Sequence, residues 1–229
     1  MAKQARWGRL QDLFDHVPLG DEAKERLFDE MSLPRRHYHS VAHLEALWRR
    51  HRLYSASAGF TDPEIDKLVA CAIAYHDSVY DMSRSDNEER SAKAWLRASA
   101  GSSLDEDERQ WVAQTIRATK DHLAYRPDPA ARAAQAQLRE RVRAWVLDLD
   151  LTPLGVPAEE FDRNTHRLRL EAAAMSDAQW FAGMSAFRQR FLEAPRIYRT
   201  PELGAVFEAA ARRNLTRSLP GEAPSPKDG

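Results

Sequence analysis

Between Ile65 and Tyr75 the chain repeats apolar residues at a spacing that suits a helix and not a strand. Ile65, Leu68, Val69, Ala72 and Ile73 fall at i, i+3, i+4, i+7 and i+8. The same period returns along nearly the whole chain, and no run of alternating Val and Ile competes with it. A first helix is expected from Trp7, Leu10, Leu13 and Phe14, and a second over 21–31, broken by Pro34. Others are expected over 39–54 and over 63–77, where Asp62 supplies an N-cap and Pro63 the first helical position. The pattern continues near 86–99, 106–122, 130–150, 158–175, 178–193 and 202–217. Pro153, Gly155 and Pro157 mark a turn and not a domain linker, because periodicity resumes at Phe161. The expected fold is one all-α domain, a single helical bundle over 1–217. Residues 218–229, rich in Pro, Gly and charge, are expected to be a disordered tail.

Composition narrows the function classes. A 43% hydrophobic fraction and six tryptophans suffice for a large core. The formal net charge of −1 provides no basic field to recruit nucleic acid or an anionic membrane, so neither partner is expected. No apolar run approaches the roughly 18 residues of a membrane span. Met1–Trp7 lacks the apolar segment of a signal peptide. Cys71, the one cysteine, falls inside a helix expected to be buried and has no partner for an intramolecular disulfide. A cytoplasmic protein is the simplest reading.

The chemistry begins at His76-Asp77. His76 takes the next place on the apolar stripe of 65–73 and therefore points inward, where an imidazole needs a partner. Desolvating the aspartate beside it is costly unless a cation or donors compensate, and a divalent metal would satisfy both groups. The structural alternative is a histidine bonded to a carbonyl with an exposed aspartate as neighbour. Upstream, His39 and His43 share a helix face at i, i+4. Ser40 stands where the helical HExxH zinc motif needs glutamate, which excludes that motif. Downstream, Asp148 and Asp150 lie about 200° apart around a regular helix, so one of them can reach a shared ion and the other must cap, pair or face solvent.

These elements read as H…HD…D, and they sit in longer blocks. Arg36-His37-Tyr38-His39-Ser40-Val41-Ala42-His43, Tyr75-His76-Asp77-Ser78-Val79-Tyr80-Asp81, Asn87-Glu88-Glu89-Arg90-Ser91-Ala92, Thr119-Lys120-Asp121-His122 and Leu147-Asp148-Leu149-Asp150-Leu151 follow in order. The set resembles an uncharacterised bacterial branch of the HD superfamily of metal-dependent phosphohydrolases, over roughly residues 5–217. That resemblance implies an HD-type helical bundle holding a divalent cation with His43, His76, Asp77 and Asp150, with Asp148 as the alternative fourth ligand. Such a mixed imidazole–carboxylate set suits Mn, Fe, Co, Ni or Zn, with Mg possible. The resemblance also implies hydrolysis of a nucleotide or other small phosphate ester by metal-activated water, which Glu88 would orient. Ser85-Asp86-Asn87-Glu88 equally reads as a helix-capping sequence, and Asn87 as a cap or a substrate contact. Arg36, Lys120, His122 and Arg169, the last in an Arg-x-Glu element with Glu171, are candidate substrate-binding groups. For the arginines a surface salt bridge is the alternative. His122 could instead bind a second metal or cap its helix, and His39 would support a ligand or bond near a helix start. Two other readings are a di-iron oxygenase of the same fold and a metal-binding module without catalysis. Metal content separates the three.

Overall fold

A computed structural model describes residues 7–128 and 132–217, and the expected tail at 218–229 lies outside them. Among the described residues there are ten α-helices and no strand. They are α1 (Gln11–Asp15), α2 (Asp21–Met31), α3 (Val41–Tyr54), α4 (Pro63–Tyr75), α5 (Asn87–Ala98), α6 (Glu106–Ala118), α7 (Ala134–Leu151), α8 (Ala158–Glu171), α9 (Asp177–Glu193) and α10 (Pro201–Thr216). No helix of the described residues is long and apolar enough to cross a membrane.

The centre of the molecule is α4. Its start is built as its residues dictate: Asp62 accepts a hydrogen bond from the Glu64 amide at 2.9 Å, and Pro63 opens the first turn. From Leu68 to Tyr75 every residue is apolar and buried, and Val69 through Ala74 are all 0–1% exposed. A helix buried on every side belongs in a core and not on a surface, so the stripe seen in sequence understates this element. The small side chains Ala70, Cys71, Ala72 and Ala74 let α1, α3, α5, α6 and α7 pack around it.

Two local departures from the expected helices shape the site. The helix expected to reach 122 ends at Ala118 and tightens into a 3₁₀ turn, Thr119–Asp121, where Thr119 Oγ1 donates to the Ile116 carbonyl at 2.7 Å. The helix expected to reach 175 stops at Glu171, because a capping box at Ser176 and Gln179 starts α9. Arg169 closes that corner by donating to the carbonyls of Ala172 and Met175.

The end of α7 is held from the C-terminal side. Tyr198 Oη donates to the Leu151 carbonyl at 2.9 Å, and Asn214 Nδ2 donates to the carbonyls of Leu154 and Val156. In the 3₁₀ turn Thr152–Gly155, the last residue lies so close to α10 that a Cβ there would stand 2.6 Å from the Phe207 carbonyl oxygen.

Candidate metal centre

Three helices bring two histidines and an aspartate of the motif blocks to one point, and each does so through a local device. His43 projects inward from the first turn of α3. His76 is the C-cap of α4, where its amide closes on Ala72 and its ring Nδ1–H donates to the Ile73 carbonyl at 2.9 Å. Asp150 sits in the last turn of α7. The potential ligand atoms of His43, His76 and Asp150 all lie within 4.8 Å of one another. The two Nε2 atoms are 3.2 Å apart, and each is 3.4 Å from Asp150 Oδ1. Asp77 joins at the edge, with Oδ2 3.0 Å from His76 Nε2 and 3.9 Å from His43 Nε2.

This arrangement fits a divalent cation on two grounds. Ligand bonds of about 2.1 Å at octahedral or tetrahedral angles separate neighbouring donors by about 3.0–3.4 Å, which is the spacing of most pairs here. The chemistry agrees. Because Nδ1–H of His76 is committed to a carbonyl, the neutral ring directs a lone pair from Nε2 at the Nε2 of His43. Two lone pairs and two carboxylates so close together require a cation between them, whether a proton or a metal. The titration shifts follow this demand. Burial alone would lower the His76 pKa, but Asp77 and Asp150 raise it well above the usual value. Burial pulls the His43 pKa down, against the opposing pull of Asp150 and Asp77. Burial would raise both carboxylates, yet His76 and the neighbouring imidazoles hold Asp77 and Asp150 below the usual range.

Asp148 is elsewhere. It is fully buried and accepts hydrogen bonds from the Thr200 amide at 2.6 Å and from Thr200 Oγ1 at 2.7 Å, at the N-cap of α10. Burial raises its pKa despite these donors. The two aspartates thus divide as helix geometry requires, one toward the cluster and one toward α10.

The remaining expected site residues scatter into distinct jobs. His122 Nε2 lies 2.9 Å from Asp150 Oδ2, beside the cluster. Arg36 is buried and donates to the carbonyls of Asp77, Ser78 and His39 and to Glu30, so it pins the turn that carries the HD doublet. Asn87 bonds the Asp81 amide and the carbonyls of Asp81 and Arg84, holding the loop before α5. Lys120 donates to the Ser85 carbonyl. Arg169 pairs with Asp177 at the α8–α9 corner. The capping box expected around Ser85–Glu89 does not form. The N-cap, Asp86, makes no capping bond with its side chain and instead pairs with Arg84, while Glu89 pairs with Arg117. Glu88 is half-buried, with no hydrogen bond or ion pair among the described residues, and its charge bears on Tyr80.

One pair beside the cluster was not anticipated from sequence. Glu171 Oε1 accepts from the amides of Tyr38 and His39, and its Oε2 lies 2.6 Å from His39 Nδ1. The carboxylate keeps the His39 proton on Nδ1 and turns Nε2 toward Asp77, 3.8 Å from Oδ2. Tyr80 stacks on the same ring at 3.8 Å between centroids. The Arg169-x-Glu171 element was the visible signal, but its weight falls on the glutamate and not on the arginine.

Comparison with family models, with curated proteins and with solved structures finds no match for this chain.

Proposed function

We propose that the chain is a metal-dependent phosphohydrolase of the HD type, acting on a small phosphate ester. The observation that carries this reading is the convergence of His43, His76 and Asp150, with Asp77 at the edge, on one cation-demanding point. The ordered motif blocks give it a reaction class. A divalent ion held by His43, His76 and Asp150, with Asp77 beside them, would supply Lewis acidity for the hydrolysis. Around it, His122 holds the free oxygen of Asp150, and Arg36 fixes the backbone on which Asp77 and His39 ride. His39 is the proton carrier in this proposal: Glu171 sets its tautomer, and Nε2 is free to take a proton from water and return it to the leaving oxygen. Glu88, unbound by any cap, is the second carboxylate of the proposal.

A second reading rests on His122 and His39, which flank the cluster on Asp150 and Asp77 and enlarge the donor set toward a dinuclear iron centre. Metal analysis of purified protein decides between them. The hydrolase predicts one ion per chain and turnover of phosphate esters with manganese; the oxygenase predicts two irons. His76→Ala and Asp77→Ala should each lose the ion while staying helical. With manganese bound, His39→Gln should lower turnover by roughly 10²–10⁴-fold, and more than Glu88→Gln does. Full metal retention by either ligand variant removes the reading.

A further inference from the structure

Beside the cluster the structure holds a cavity of about 380 Å³ that the metal reading leaves unexplained. It is lined by α8, α9 and the turn Thr152–Gly155, and Asp150 and His39 of the cluster's surroundings also line it. Its walls are carbon: Phe161, Leu168, Trp180, Met184 and Phe187 face it, with the uncharged Asn164, Thr165 and Gln179 as the polar relief. No lysine or arginine lines it. Of these side chains, Phe161 and Met184 belong to a satellite cluster with Val156, separate from the main core, and Phe187 is 37% exposed.

These features restrict what can enter. A polyphosphate placed against this lining would exchange water for carbon with no lysine or arginine to meet it, which is costly. An apolar group would gain by covering the aromatic wall. Cavities of about 150 Å³ accommodate a benzene ring, so this one has room for a bicyclic ring or a branched chain. Its one carboxylate is Asp150, which also belongs to the His–Asp cluster. We propose that this chamber receives the alcohol portion of the substrate, and that the substrate is a phosphate monoester of an apolar, ring-sized alcohol. This rests on the phosphohydrolase reading and narrows it. Water adds to phosphorus, the P–O bond to the alcohol breaks, the proton from water ends on the alcohol oxygen, and the products are the free alcohol and inorganic phosphate.

Gly183 gives a test that does not depend on activity. It lines the chamber from the middle of α9, and a Cβ built on it meets no atom within 4 Å. A larger side chain therefore has space to fill, on a helix that should welcome it. The probe is 1-naphthol, followed by tryptophan fluorescence and calorimetry on metal-free protein. Wild type and Gly183→Ala should both bind it, and Gly183→Leu should weaken binding by about tenfold or more, as expected when apolar space is lost, while manganese stoichiometry stays the same. The manganese enzyme should also favour 1-naphthyl phosphate over glycerol 1-phosphate and over ATP by about tenfold or more in kcat/KM. Absence of naphthol binding, or binding indifferent to Gly183→Leu, overturns the chamber. If glycerol 1-phosphate or ATP is then still hydrolysed, the phosphohydrolase reading survives without it. Naphthol binding that Gly183→Leu abolishes, with no ester hydrolysed, keeps the chamber as an apolar-ligand site and removes the phosphohydrolase.

Discussion

At the scale of single residues, the two aspartates of α7 illustrate how position on a helix separates chemistry from structure. Asp150 shares space with three imidazoles, whereas Asp148 is spent on the Thr200 amide and hydroxyl. Their variants should therefore fail in different ways. Asp150→Asn should lose the metal and keep most of the fold. Asp148→Ala should retain the metal but leave the Thr200 donors without their acceptor, costing about 1–3 kcal/mol in urea unfolding. If Asp148→Ala instead released the metal from a protein of unchanged stability, the assignment of the pair would be reversed. Arg36 teaches the complementary lesson. An arginine in front of a histidine motif looks like a phosphate ligand in sequence, but here its donors go to three backbone carbonyls and Glu30.

At the scale of elements, the placement of Asp150 depends on how closely the turn after α7 meets α10. Gly155 is needed there for space and not for conformation, since its φ is not in the positive range. A methyl group at this position would meet the backbone and Cβ of Phe207 at 2.6–2.7 Å, and neither atom is the end of a flexible side chain. Gly155→Ala should destabilise the protein by about 1–3 kcal/mol, the usual cost of overpacking. Gly204, inside α10, is the control: its added Cβ would make an ordinary 3.8 Å contact with Tyr198. Gly204→Ala should be neutral or stabilising by up to about 1 kcal/mol through helix propensity. Thermal melts of the two variants check this, and equal melting temperatures would show that the α7–α10 junction yields more easily than its contacts imply.

At the scale of the whole molecule, α3, α4 and α7 are tied together by a buried polar link remote in sequence. Trp145 Nε1 donates to His51 Nδ1 at 3.1 Å, so the ring proton is on Nε2 and is donated to Asp66 Oδ1 at 2.8 Å. Arg52 braces the other oxygen of Asp66. Burial depresses the His51 pKa even though Asp66 opposes it. The folded protein thus binds this proton less readily than the unfolded chain, whose histidine titrates near about 6.5. The stabilisation is complete above that pH and is lost as pH falls below it toward the depressed folded value. In metal-free protein, urea unfolding between about pH 7.5 and about pH 5.5 should show a steeper loss of stability in wild type than in His51→Phe. His43 and His76 titrate in both proteins and cancel in the difference. Parallel slopes would mean that His51 takes up its proton without cost.

What the chain determined by itself is local. The 3.6-residue period needs only neighbours along one helix, so the elements and the rule that one of Asp148 and Asp150 reaches the cluster were legible before any packing was known, whereas the all-round burial of 65–75 was not. Which aspartate it would be followed in sequence only from the family resemblance; physically it was decided by Thr200, which captures Asp148 from 52 positions away. The partner of His39 was decided across 132 positions, where the early end of α8 leaves Glu171 at the foot of α3. The chamber has the same origin. Phe161, Leu168, Trp180 and Met184 have the spacing of core residues, and nothing in that spacing reveals that they line a space that Asp150 also lines. Periodicity records which side of a helix avoids water; only the meeting of helices determines whether that side is filled by protein or left for a ligand.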